Sequence, residues 1–274
     1  MGRCRLTARE YCNAVADLAG GFFPSRSISE KRGLRGRYYN DRKPNGNARR
    51  LERVDANIDF KFGTKSPHEK LRDSEVSMEW DGSLIVRETG EYEIGVKSEN
   101  GFQLWVNDKD DPLVDGYVAA GPEATLRSSS IRLLGGRAYP IKLEYFKYKD
   151  KTASVQLMWK PPHKAWEVIP ERALTPDRAS PLLVVNTHFP ADDGSYGYPR
   201  GTGVSQAWDE ATTFAAIEVA SKVVRHLDAL AGVKRDAPDR RQRLQAFCAK
   251  FAERAFRRPL TDAQRQVYVK AQVN

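Results

Sequence analysis

Between residues 90 and 107 apolar and polar side chains alternate in two runs. Tyr92, Ile94 and Val96 alternate with Glu91, Glu93 and Lys97, and Phe102, Leu104 and Val106 alternate with Gln103, Trp105 and Asn107. A period of two sends successive side chains to opposite faces, so each run predicts a strand with one buried face. Asn100-Gly101 lies between them and tolerates positive φ at both central turn positions, the strongest short signal for a β-hairpin. The expected hairpin carries a polar tip, Ser98-Glu99-Asn100, at an exposed turn.

The same alternation fills residues 33–176. It recurs at Leu34 to Tyr39, at Ile58, Phe60 and Phe62, and at Val76, Met78 and Trp80, where Asp81-Gly82 reads as a turn. Leu84 to Val86, Val114 to Val118, Leu126 to Leu134, Tyr139 to Tyr145 and Val155 to Trp159 complete the set. Many short strands at spacings of about ten residues predict an antiparallel sandwich, jelly-roll-like, or a barrel. The flanks follow a helical period. Thr7 and Glu10 form a capping box before Tyr11, Val15 and Leu18, and Gly20-Gly21 stops that helix. From Ser205, Ala216, Ala220, Val223, Leu227 and Leu230 share one stripe, and Leu244, Phe247, Cys248, Phe251 and Ala255 share the next. Pro259 ends the second, and Thr261 with Gln264 caps a further helix.

The pattern therefore divides the chain into a helical segment at 1–32, a sandwich at 33–176, a linker rich in Pro and Gly at 177–204, and a helical module at 205–274. The linker's one apolar run, Leu182 to Val185, suits a short added strand. The last helix stops after little more than three turns, so the helical domain reads as partial and the chain as a piece of a larger protein. The expected class is mainly β with helical flanks.

Composition narrows the function classes. Of 274 residues, 40% are hydrophobic and 30% charged, which fits a folded domain and excludes a disordered chain. No apolar run reaches the roughly 20 residues of a membrane helix, and no apolar leader follows Met1. The net charge of +9 is spread thinly, and residues 33–176 are nearly neutral. Arg49-Arg50, Arg240-Arg241 and Arg257-Arg258 lie apart, without the clustered patch that nucleic acid requires. Cys4, Cys12 and Cys248 are odd in number and have no CxxC spacing. His68, His163, His188 and His226 share no ligand spacing, and no Gly-x-Ser-x-Gly elbow presents a nucleophile. Nothing in the chain marks it as an enzyme.

The candidate chemistry gathers around the hairpin. Ser98, Glu99, Asn100 and Gly101 form either a ligand loop or a plain turn. Trp105 opposes the apolar face of its strand and is either a stacking platform for a sugar ring or a packing residue. Asn107 and Asp108 open an acidic loop, Asn107 to Asp111, that adds oxygens but fails the EF-hand pattern. Asp192-Asp193 has no partner in sequence.

Several segments together resemble the anthrax protective-antigen β-sandwich, the PA-fourteen domain. They are Gly33-Leu34-Arg35-Gly36-Arg37-Tyr38-Tyr39, Val76-Ser77-Met78-Glu79-Trp80-Asp81-Gly82, Glu88-Thr89-Gly90-Glu91-Tyr92, the stretch from Ser98 to Asn107, Tyr139-Pro140-Ile141-Lys142-Leu143-Glu144-Tyr145 and Val168-Ile169-Pro170. The flanks around Arg5 to Tyr11 and Phe251 to Thr261 resemble helical modules of unknown function in planctomycete-type envelope proteins, often beside c-type cytochromes; no haem motif occurs here. The resemblance implies a module that binds a carbohydrate or surface polymer within a larger periplasmic or extracellular protein, among other modules of the same parent. In sugar-binding members an Asp-Asp pair at the tip holds calcium, and the matching positions here are Glu99 and Asn100. The lost carboxylate departs from that pattern, since calcium draws its affinity from charged oxygens. Two other implied roles are a structural spacer or docking domain without a small ligand, and an accessory part of a redox enzyme whose catalytic domain lies elsewhere.

Overall fold

The computed structural model describes residues 5–23, 27–118, 123–149 and 152–273. The chain divides into two compact units, Arg26–Pro181 and a second built from Met1–Ser25 with Leu182–Asn274.

The first unit is an antiparallel β-sandwich. Its strands are β1 Leu34–Tyr39, β2 Arg49–Asp55, β3 Asp59–Gly63, β4 Val76–Val86, β5 Gly90–Ser98, β6 Gly101–Val106, β7 Val114–Gly116, β8 Thr125–Leu133, β9 Arg137–Lys147, β10 Ala153–Lys160, β11 Glu167–Val168 and β12 Leu174–Thr175. A seven-stranded sheet runs β2-β1-β4-β9-β6-β7, with β12 on β4, and a five-stranded sheet runs β11-β10-β5-β8, with β3 on β10. Inner-face residues Tyr38, Met78, Trp80, Leu104, Leu143 and Tyr145 of the first sheet and Tyr92, Ile94, Val96, Val155 and Leu157 of the second are buried. These are the apolar members of the alternating runs.

Two local turn signals are overridden. Asp81-Gly82 does not turn, and β4 continues through it to Val86. A side chain at Gly82 would strike the Thr175 carbonyl, so the glycine is there to let β12 approach. Asn100-Gly101 does not close a hairpin either. β5 pairs with β8 and β10, β6 pairs with β9 and β7, and the two belong to different sheets. Neither Asn100 nor Gly101 adopts a positive φ. The chain crosses between sheets here, and Gly101 is required because a Cβ would enter the Phe146 ring.

A carboxylate anchors one edge of the core. Asp55 accepts from the Trp80 indole N–H at 2.8 Å, from Arg53 Nε at 2.7 Å and from the Tyr38 hydroxyl. Gly36 lies beneath, where a Cβ would collide with that carboxylate and the indole. Burying a carboxylate is costly unless it is paired and fully hydrogen-bonded, and three donors meet that requirement.

The second unit is helical. It comprises α1 Ala8–Gly20, α2 Gln206–Arg225, α3 Leu227–Ala231, α4 Arg240–Phe256 and α5 Asp262–Arg265, followed by a π-helical turn at Gln266–Lys270. The capping boxes at Thr7 with Glu10 and Thr261 with Gln264 both form. Tyr11 of α1 packs on Phe189 and Trp208 at 5.0 and 6.2 Å between ring centres. The run from Leu182 to Val185 forms no strand, yet Leu183, Val184 and Val185 are buried. Side chains of α2 hold the end of this run and the two residues after it. Glu218 accepts from the Asn186 and Thr187 amides, and Lys222 donates to the Val184 carbonyl. Among the described residues no helix is long and apolar enough to cross a membrane.

Two buried tyrosines set a pH limit. Burial pushes Tyr139 up to about 12, and burial together with the Asp55 charge raises Tyr38 well above the usual phenol range. A raised native pKa means that the unfolded chain loses its protons first. Stability is therefore complete below a free tyrosine's value of about 10 and declines as pH rises past it. Urea midpoints measured from pH 8 to 11.5 are expected to hold level and then fall above about pH 10. Tyr139→Phe should lower the midpoint at pH 8, because the Leu134 amide loses its acceptor, and should flatten the alkaline decline. An equally steep decline in that variant would refute the assignment to Tyr139.

Candidate binding cleft on the seven-stranded sheet

The outward positions of the seven-stranded sheet carry charge, and strand register lines them up. Arg37 on β1 faces Glu79 on β4, which faces Glu144 on β9, which faces Gln103 on β6, which faces Asp115 on β7. In the adjacent row Asp81 faces Lys142, which faces Trp105. Directly opposed side chains on one face lie close enough to pair. Arg37 bridges Glu79 at 2.8 Å and also Asp81, while Lys142 bridges Glu79 at 3.3 Å and also Glu144. The Glu79 and Asp81 side chains are only 13% and 11% exposed. The chain beyond β12 is tied to the same strand: Ser83 donates to the Asp177 carbonyl and accepts from the Ala179 amide, both at 2.7 Å.

A cleft of about 270 Å³ opens over these rows. Its floor is Arg37, Glu79, Asp81 and Lys142, and Trp105, Asp108, Lys109 and Arg178 stand around it. The Lys142 ammonium lies 5.0 Å from the Trp105 ring centre, a cation–π distance that helps to fix the indole. Burial works against the Arg37 charge, but Asp81 and Glu79 outweigh it and hold its pKa above the usual value. Burial likewise opposes the Lys142 charge, and Glu144 and Glu79 outweigh it. Each floor carboxylate is thus held by a cation, an arrangement that presents fixed hydrogen-bonding groups. Arg37 Nε is buried without a partner.

The sequence candidates fall into two groups at opposite ends of β6. Asn107 lies seven residues beyond Asn100, more than about 20 Å along an extended strand. One ligand loop cannot contain both. At the first end, Asn100 is 2% exposed, not at an exposed turn as its sequence implied. Its Oδ1 accepts from the Tyr145 hydroxyl at 2.6 Å and the Ser154 amide at 3.2 Å, and its Nδ2 donates to the Thr152 carbonyl at 3.0 Å. Ser98, also buried, donates to the Ser154 carbonyl and accepts from the Asn100 amide. Glu99 is partly exposed and accepts from the Thr152 hydroxyl at 2.8 Å. Gly101 is buried against Phe146.

The implied calcium pair does not fit this geometry. Both lone-pair directions of the Asn100 carbonyl oxygen are already engaged, so it cannot join Glu99 around a cation that needs six or more oxygens. Among the described residues no three His, Cys, Asp or Glu side chains are grouped to hold a metal ion.

At the other end Trp105 and Asp108 both line the cleft. Asn107 has φ of 59° and donates its amide to the Pro140 carbonyl, turning the chain between them. Asp108 accepts from the Asp110 amide at 2.9 Å. Sequence reasoning passed over Arg37, Glu79, Asp81, Lys142 and Arg178. Their signal was charge at the outward positions of strands with apolar inner faces, but which strands are neighbours is a property of the topology.

A family model described as the PA14 domain matches residues 30–173. Anti-sigma-I factor RsgI3 of Acetivibrio thermocellus is 33% identical over 146 residues, covering 53% of this chain and 21% of that protein. The chain therefore spans about a fifth of that relative. A solved anti-sigma factor domain-containing protein from Clostridium clariflavum is 26% identical with a TM-score of 0.49, over 64% of this chain and 59% of its own. A PA14 sugar-binding domain from an RTX adhesin is 14% identical with a TM-score of 0.41, over 53% of this chain and 98% of its own.

The corner makes opposite predictions for adjacent residues. Asn100→Ala removes three side-chain hydrogen bonds from a largely buried corner and should cost about 3 kcal/mol of unfolding free energy. Glu99→Ala removes one partly exposed contact and should cost less than about 1 kcal/mol. Urea denaturation of the two variants measures both, and similar small losses would mean that Asn100 is not a structural pin.

Proposed function

The chain belongs to the PA14 domain family, and from that premise we propose that its sandwich is a carbohydrate-binding module that takes a glycan in the cleft beside Trp105. The observation that carries this reading is the meeting of an indole with Asp108, Lys109 and Arg178 over a floor of immobilised charges. An indole offers a flat apolar face to a sugar ring, and fixed polar groups around it select hydroxyl positions. The floor groups hold one another in place, so binding orders few side chains and loses little entropy. The adhesin relative is a sugar-binding domain by name, which agrees with this reading. In it, binding is independent of calcium and the module performs no catalysis, because each floor carboxylate is committed to a cation. The chain then serves as the glycan-recognising part of a larger envelope protein.

The buried corner at Asn100 favours a second reading, in which the sandwich is a spacer or docking domain. The same experiment separates the two. A glycan array probed with and without chelator, followed by calorimetry on the best ligand, should show chelator-insensitive binding. Trp105→Ala and Asp108→Ala should each weaken that binding about tenfold, the equivalent of roughly 1.4 kcal/mol. An array without signal would leave the spacer. Binding abolished by chelator, or unchanged in both variants, would remove the ligand from this cleft.

A further inference from the structure

A second pocket, of about 170 Å³, opens at the other end of the sandwich from Asn100 and is independent of the cleft. Gly101 and the start of β4 share the corner end, since Gly101 and Ser77 both pair with Phe146. This pocket lies beyond the far end of the eleven-residue β4, roughly 30 Å away along the strand. Both sheets contribute to it: Ile85 from the end of β4, with Arg87 just after it, and Tyr92 and Trp159 from β5 and β10.

Its charges are unevenly matched. Two carboxylates line it and both are engaged. Glu88 lies 3.7 Å from Lys164, and Glu167 accepts from the Trp159 indole N–H at 3.0 Å. Arg87 and Arg172 also line it, and among the described residues neither has a carboxylate partner. They come from separate segments, one following β4 and one in the 3₁₀ turn Glu171–Ala173. With Lys164 the lining holds three cations to two carboxylates, an excess that favours an anionic ligand. A guanidinium is a planar fork matched to the two oxygens of a carboxylate. Ile85, Pro161 and Ala173 line the same pocket with apolar surface.

We infer that this pocket binds a small organic carboxylate, with the acid group between Arg87 and Arg172 and the body of the molecule against Ile85, Pro161 and Ala173. Tyr92 and Trp159 in the same lining suit a sugar ring, so the carboxylate is assigned to a uronic acid unit of a polysaccharide, and a preference for a peptide's terminal carboxylate would overturn that assignment. Calorimetric titration of the whole chain with sodium glucuronate, N-acetylalanine, glucose and inorganic phosphate tests the assignment. Glucuronate should bind in the millimolar range, and N-acetylalanine, glucose and phosphate should each bind at least about tenfold more weakly. Arg87→Ala and Arg172→Ala should each weaken that binding about tenfold or more, while Arg87→Lys, which keeps charge but loses the fork, should fall between. Both arginines are exposed, so the variants should keep the parent's thermal unfolding. Three outcomes would overturn the proposal: glucuronate does not bind, N-acetylalanine or phosphate binds as well as glucuronate, or the arginine variants bind normally. Trp105→Ala should leave this binding intact, which separates failure here from failure of the glycan cleft.

Discussion

The sandwich depends on one amide. Asn100 stands where the chain leaves the five-stranded sheet for the seven-stranded one, and its side chain joins both. Its carbonyl oxygen accepts a hydrogen bond from Tyr145 on the seven-stranded sheet and another from the Ser154 amide on the five-stranded sheet. Its amide group serves the Thr152 carbonyl just before β10. A buried backbone carbonyl or N–H without a partner costs more than a made hydrogen bond returns. The corner therefore has one low-energy arrangement, with β6 beginning directly after Asn100. The register of β6 against β9 follows from that start, and with it the outward direction of Gln103 and Trp105. The cleft at the far end of β6 inherits its geometry from this corner.

The outer face of the same sheet uses charge where the inner face uses shape. Single surface ion pairs contribute between nothing and about 1 kcal/mol, so stability is a weak reason for assembling Arg37, Glu79, Asp81, Lys142 and Glu144. What their pairing does supply is position. Lys142 meets Glu79, Glu144 and the Trp105 ring at once, and Arg37 meets two carboxylates. A side chain with several simultaneous partners has few rotamers left to lose when a ligand arrives. A face built this way differs from an ordinary solvated sheet surface, whose lysines and glutamates must be ordered by whatever binds them.

The strands were legible because alternation is a local property. A buried face needs an apolar residue at every second position, whatever its partner is. The capping boxes at Thr7 and Thr261 were legible for the same reason, since all their atoms lie within four residues. The two turns misled because their signals were also local while their causes were not. Asn-Gly and Asp-Gly favour tight turns in isolation, but Tyr145 and Ser154 lie 45 and 54 residues from Asn100, and Thr175 lies far from Gly82. Distant partners outweighed an intrinsic preference of a kcal/mol or so. The site divided in the same way. Trp105 and Asp108 stood out as an unusual residue on a polar face and an acidic loop. Arg37, Glu79 and Lys142 were ordinary outward charges until the strand order placed them side by side.

The helical unit is made of two pieces of chain separated by the whole sandwich, and the sandwich makes that possible. An unfolded insertion of this length would place the α1 segment and the residues after 181 far apart, with an entropy cost that rises with the logarithm of loop length. Once the sandwich folds, its entry and exit are adjacent. The Ser29 amide donates to Asp177 at 2.6 Å, and the Gly33 amide donates to the Leu174 carbonyl at 3.2 Å. The effective loop is then short, and Tyr11 can reach Phe189 and Trp208 at little further cost. Asp192 completes the join by accepting from the Ala8 amide at the start of α1 and from Arg5. An inserted domain with neighbouring ends does not interrupt its host. Here the geometry sets a dependence: the helical unit gains its α1 contacts only after both its pieces have been made and brought together.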